Sequence, residues 1–150
     1  MRFFSRTPVR TFVIYPTIVV AWELAVNGTR LQPSFYFVPL MIWGYLQYRL
    51  CGRYRLNLGG GGPGLETPPE RLVATGLYAY TRNPMYLGHI IFLVGLSLTL
   101  KSWLAAVITI STAIWFHMRV VGDENKLTER LGNPYIDYLL KVKRWIPGLF

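Results

Sequence analysis

Gly76-Leu77-Tyr78-Ala79-Tyr80-Thr81-Arg82-Asn83-Pro84-Met85-Tyr86-Leu87-Gly88 is the stretch on which the fold turns. It joins a polar, glycine-rich segment to a strongly apolar one. Asn83 followed by Pro84 predicts a helix start, because an Asn side chain caps free N–H groups and proline presets the first helical φ. A water-side loop therefore becomes an apolar helix here, carrying Arg82 and three tyrosines into the junction.

Working outward, the apolar residues fall in four blocks, about 9–26, 35–50, 85–100 and 103–121. Each is near the length that crosses roughly 30 Å of hydrocarbon, and the two shorter ones need tilt or local thinning. The chain has 150 residues, 52% apolar and 15% charged, an unusual balance for a soluble globule and enough for one domain. The sequence thus predicts an all-α integral membrane protein, with four transmembrane helices and a C-terminal cytoplasmic amphipathic helical segment.

The formal charge of +9 raises the question of nucleic acid, but its distribution answers it. Arg2, Arg6 and Arg10 precede the first block, and Arg49, Arg53, Arg55, Arg71 and Arg82 lie between the second and third. Arg119, Lys126, Arg130, Lys141, Lys143 and Arg144 follow the fourth. Only Arg30 and Lys101 fall on the other side of a four-span arrangement. The positive-inside rule then places both termini and the 51–82 loop in the cytoplasm. The charge is topological, and no nucleic-acid partner is expected. Oligomeric state is not legible.

Cys51 is the single cysteine, so no internal disulfide and no cysteine metal site is expected. His89 and His117 lack further ligands, so packing or hydrogen bonding is expected of them and no metal. Glu23, inside the first block, argues for an uncleaved helix over a signal peptide. Lying near the far-side end, it is expected to be structural, with Arg30 or Lys101 as partner. Gly44, Gly88 and Gly95 offer small-residue surfaces for close helix packing. Gln47 is close enough to the helix end to be ordinary there, although it is also placed to reach a bound group. Gly59-Gly60-Gly61-Gly62-Pro63-Gly64 lacks the Lys-Ser/Thr ending of a phosphate-binding loop and reads as a flexible linker or lid, with Glu66, Pro68, Pro69 and Glu70 stiffening its exit.

After helix four, expected to end at 117–121, two short helical pieces are predicted. Asp123–Leu131 is stopped by Gly132, and Asn133-Pro134 starts a second with Tyr135, Leu139 and Val142 as its apolar stripe. Lys141, Lys143, Arg144 and Trp145 suit a surface lying on a membrane. Arg119 and Asp123 are four apart and share a face if the helix continues that far.

Two separated stretches resemble the isoprenylcysteine carboxyl methyltransferase and phospholipid N-methyltransferase superfamily of integral membrane enzymes. The first is Leu72, Val73, Gly76, Tyr78, Arg82, Asn83, Pro84, Tyr86 and Gly88. The second is Arg119, Asp123, Glu124, Leu127, Leu131, Gly132, Tyr135 and Tyr138, leading to Lys143-Arg144-Trp145-Ile146-Pro147. Asn83 stands where the family pattern has His, and Asp123 where it has Glu. The resemblance implies a single methyltransferase-like domain over 1–150 that binds S-adenosylmethionine without a Rossmann sheet. It implies cofactor binding by Leu72, Val73, Tyr78, Asn83, Pro84, Met85, Tyr86, Asp123 and Glu124. Arg119 is expected to orient a carboxylate or phosphate of a lipid or lipophilic acceptor, with Arg82 assisting or gripping the cofactor. Glu124, a tyrosine or water is expected as base where the acceptor is an amine. The expected membrane is a bacterial inner membrane ahead of endoplasmic reticulum. The alternatives are a membrane reductase using a nicotinamide cofactor and a non-catalytic membrane module.

Overall fold

The computed structural model describes residues 6–28, 31–62 and 69–146. Among these described residues there are five α-helices: α1 Thr7–Asn27, α2 Val38–Gly59, α3 Pro84–Leu100, α4 Trp103–Leu131 and α5 Asn133–Lys141. Short 3-10 turns at Phe35–Phe37 and Gly76–Ala79 precede α2 and α3. There is no strand among the described residues.

The chain sorts into two compact units, one of Met1–Leu46 with Gly88–Ile114, the other of Gln47–Leu87 with Trp115–Phe150. Helices α2, α3 and α4 each contribute to both. In the first unit, Val19, Leu93, Leu96 and Ala105 form the core, with Tyr15, Met41, Phe92, Leu100, Leu104 and Ile108 packed around them. Gly44 and Gly95 permit this packing. A Cβ on Gly44 would lie 2.5 Å from the Phe92 nitrogen and 2.6 Å from the Gly88 carbonyl oxygen, and one on Gly95 would lie 2.9 Å from the Met41 nitrogen. Backbone cannot retreat from such contacts, so α2 and α3 meet through glycine. The turn between α3 and α4 is made by Lys101, with φ of 50°, and by Ser102, whose hydroxyl accepts from the Ala105 N–H at 3.2 Å as an N-cap. The α3–α4 hairpin is closed further by a 3.1 Å bond between Ser97 and Thr109.

Pro16 explains the form of α1. It lacks an N–H and its ring crowds the carbonyl four residues back, and the preceding turn, Arg10–Ile14, opens to a π-helix. Glu23 is buried and accepts from Asn27 Nδ2 at 2.7 Å. Lys101 is not its partner among the described residues, and Arg30 lies outside them. Trp22, Val26, Ile42, Trp43, Trp103, Val107, Ile110 and Ile114 face outward, an apolar exterior that suits hydrocarbon and not water.

Two expectations about element bounds need correction, and the expectation of four spans is met in part: among the described residues two helices, α1 and α4, are long and apolar enough to cross a membrane. Helix α3 has 17 residues, about 25 Å at 1.5 Å per residue, and α2 gains Arg49, Arg53 and Arg55 in its second half. Helix α2 starts at Val38 and runs to Gly59, where 35–50 was expected. Helix α4 is continuous to Leu131, absorbing the separate piece expected at 123–131. Gly122 lowers helix propensity by about 1 kcal/mol without ending the hydrogen-bond ladder, and the Arg119–Asp123 pair spans it. Of the glycine-rich loop, Gly59 ends α2 and Gly60 and Gly61 take positive φ. Residues 63–68, with Glu66 and Pro68, lie outside the described residues, as do Arg2 and Pro147.

Candidate active site

The residues singled out by sequence converge within the second unit. The Gly76–Ala79 turn buries Tyr78 against Cys51, Val73 and Met85. The Tyr78 hydroxyl donates to the Cys51 carbonyl at 3.4 Å, and its own carbonyl accepts the Tyr138 hydroxyl at 2.6 Å. Burial raises the pKa of both phenols, and that of Tyr135 is pushed up to about 12, again by burial. All three therefore act as neutral O–H groups at physiological pH.

The corner before α3 is fastened to the segment after α5. The Arg82 N–H donates to the Lys143 carbonyl at 3.0 Å. The Thr81 hydroxyl and Asn83 Nδ2 both donate to the Arg144 carbonyl, at 3.1 and 3.3 Å. The side chain of Asn83, expected to cap α3, thus holds the C-terminal segment, while its carbonyl accepts the first helical bond from Leu87. Pro84 begins the helix, and its carbonyl accepts from the buried Gln47 side chain at 2.9 Å. Gln47 is a structural tie.

Two acidic residues on α4 anchor separate charge clusters. Asp123 Oδ2 accepts the Tyr86 hydroxyl at 3.3 Å and lies 3.7 Å from Arg119 Nε. The Arg119 guanidinium lies 5.3 Å from the Trp115 ring centroid, and the Tyr86 ring packs on Phe116 with centroids 4.7 Å apart. Glu124 is enclosed by two arginines. Arg144 reaches Oε2 with Nη2 at 2.7 Å and Nε at 3.1 Å. Arg82 Nε stands 3.2 Å from Oε1, a charge contact at an angle that makes no hydrogen bond. Arg82 Nη1 donates to the Leu139 carbonyl at 3.3 Å.

Not all expected site residues meet one another. Leu72 packs with Tyr135, Tyr138 and Val142, whereas Val73, Tyr78 and Met85 belong to the Cys51 cluster. The stripe expected on α5 is confirmed, but it faces its own chain, and Ile136 and Leu140 look outward. His117 Nδ1 accepts from Trp145 Nε1 at 3.2 Å, and His89 is buried against Phe12 with ring centroids 4.8 Å apart. No metal-binding cluster of His, Cys, Asp or Glu occurs among the described residues. Sequence reasoning missed Arg144 as a site residue. It stood in a basic run, and its distance of 20 positions from Glu124 is no helical spacing.

The arrangement therefore brings the 76–88 corner, residues 115–124 of α4 and the 142–145 segment together, with three guanidiniums around two carboxylates. A family model described as Phospholipid methyltransferase matches residues 62–132. The Protein-S-isoprenylcysteine O-methyltransferase of Saccharomyces cerevisiae is 38% identical, over 78% of this chain and 58% of the relative. Both findings support the isoprenylcysteine carboxyl methyltransferase and phospholipid methyltransferase superfamily. The proteins of the same name from Schizosaccharomyces pombe and Dictyostelium discoideum are 33% and 32% identical, over about half of this chain and 33% of each relative. The chain thus spans between a third and somewhat over half of the length of these relatives. Methyltransferases need a methyl donor, and the two stretches that carry the resemblance touch here through Tyr86 and Asp123.

Proposed function

We propose that this chain transfers a methyl group from S-adenosylmethionine to a lipophilic acceptor at the cytoplasmic face of a membrane. The observation that carries this reading is the Tyr86–Asp123–Arg119 chain. It joins the first motif half to the second across 37 positions and places aromatic rings, a carboxylate and a guanidinium side by side.

The residues present fit the donor. Only one oxygen of Asp123 is engaged by Tyr86 and Arg119, and a carboxylate has about four acceptor sites, so it can take ribose hydroxyls or the amino group. The Tyr86 and Phe116 rings offer π faces to a sulfonium cation. The N–H groups that open α3 favour a carboxylate. When bound, the donor would supply an electrophilic methyl carbon, open to in-line attack by an acceptor oxygen or nitrogen as the C–S bond breaks and the neutral thioether leaves. The protein's part is orientation: Arg119 holds an acidic group of the acceptor, and the buried tyrosines keep bulk water from the donor side.

The outward apolar side chains of the first unit and the two long apolar helices support a membrane setting, as does the one-sided placement of Lys and Arg. A four-span topology follows if α3 and the first half of α2 cross a thinned or tilted bilayer with α1 and α4. The relatives, all methyltransferases by name, favour methyl transfer over a nicotinamide-dependent reductase. Their names also point to a prenylated cysteine carboxylate as the first acceptor to try. Membranes carrying the chain, incubated with methyl-labelled donor and either prenylcysteine or phospholipid amines, should label one class. Absence of both donor binding and labelling would overturn the reading.

A further inference from the structure

Residue 144 is fixed at two ends. Its carbonyl accepts from Thr81 and Asn83, and its guanidinium takes Glu124 by two nitrogens. The residues on either side are tied as well, Lys143 by its carbonyl to the Arg82 N–H and Trp145 by its indole to His117. The Glu124 side chain is 8% exposed and that of Arg82 12%. Arg82 and Arg144 repel each other unless a carboxylate lies between them, and at low exposure that repulsion is weakly screened. Arg144 grips Oε2 by two nitrogens and its Nε also reaches Oε1 at 3.3 Å, the oxygen that stands 3.2 Å from Arg82 Nε, so Arg144 fixes the carboxylate that Arg82 faces.

We propose that Arg144 is a positioning residue of the methyl-transfer site, and that Val142–Trp145 is a strap that sets the orientation of Arg82 through Glu124. Glu124 then serves as the link between two arginines and does not contact the methyl donor, which is left to Asp123. The assignment of a reaction to this site rests on the function proposed above; the strap itself does not.

The test uses the full chain in detergent with Arg144→Ala, Glu124→Gln, their double variant and Arg144→Lys. Acceptor kcat and KM are measured alongside donor affinity by calorimetry. Each single variant should lower kcat about tenfold, with the double variant no worse than either single one, because coupled partners are non-additive. Donor affinity should stay within about threefold, well under the change of a lost charged hydrogen bond. Arg144→Lys keeps the charge without the planar fork and should recover only part of the loss. Losses that multiply in the double variant, or a tenfold fall in donor affinity with Glu124→Gln alone, overturn the proposal. Should a variant prove unstable or the wild type transfer no methyl group, tryptic cleavage after Lys143 still decides. Glu124→Gln should expose that bond as much as Arg144→Ala does, and cleavage at the wild-type rate overturns the strap.

Discussion

Arg144 and Glu124 meet in a two-nitrogen grip, with Nη2 2.7 Å and Nε 3.1 Å from the same carboxylate oxygen. Arg144 Nε also lies 3.3 Å from the other oxygen, which Arg82 Nε faces at 3.2 Å. Two guanidiniums thus share one buried carboxylate, and the two cations are held apart by a single anion.

Removing that anion should cost stability sharply. Glu124→Ala leaves two partly buried guanidiniums facing each other, and breaking a buried pair by deleting one partner typically costs about 3–5 kcal/mol. A melting experiment in detergent should show a clear fall in Tm. A Tm within a degree or two of the wild type would mean that water screens the arginines.

The glycine contacts make an opposed pair of predictions. Gly44→Ala forces a methyl group onto Phe92 and Gly88 backbone atoms, which should destabilise by about 1–3 kcal/mol as α2 and α3 shift apart. Gly122→Ala meets nothing within 4 Å and should stabilise α4 by up to about 1 kcal/mol. Chemical denaturation of both variants checks the sign of each.

Alkaline pH should weaken the second unit through Tyr135. Burial raises its pKa from 10.0 to about 12, so the folded state holds the proton more tightly than the unfolded chain does. The stabilisation is complete below pH 10 and is lost as pH rises toward 12. Tyr135→Phe should therefore flatten the stability profile in that window, measured by melting at a series of pH values. An unchanged slope would show that Tyr135 ionises freely in the folded protein.

Donor binding should depend on Asp123 more than on its tyrosine partner. Asp123→Ala removes a carboxylate with acceptor capacity to spare and should weaken donor affinity about tenfold or more, on the scale of a charged hydrogen bond. Tyr86→Phe keeps the ring against Phe116 and loses one 3.3 Å bond, so its effect should be several-fold smaller. Calorimetric titration of both variants with S-adenosylmethionine checks the order.

Much of this was legible in the sequence because it depends on local signals. Asn83-Pro84 marked the start of α3, the four-residue spacing marked the Arg119–Asp123 pair, and Gly44 and Gly95 marked close helix approach. The apolar blocks gave the helices but not their ends. Arg49 to Gly59 stay helical in α2 although they are polar, because helical hydrogen bonding does not stop where hydropathy does. The helix end expected at 117–121 does not occur, because Gly122 is carried through by the turns on either side. The site's long-range links were beyond local reading. Neither Tyr138 reaching the Tyr78 carbonyl nor Arg144 reaching Glu124 leaves a periodic trace, because each depends on how the chain returns after α5.

The main-chain nature of the 143–144 fastening has a further consequence. Carbonyl oxygens belong to every residue, so these bonds constrain spacing and not side-chain identity at Lys143. Replacing Lys143 by almost anything should be tolerated, whereas deleting a single residue between Lys141 and Arg144 would move both acceptors out of register and carry the guanidinium away from Glu124. Close relatives should thus drift freely in composition at position 143 while keeping the interval from Tyr138 to Arg144 fixed, and a gap in that interval would be a better mark of lost activity than any substitution at position 143.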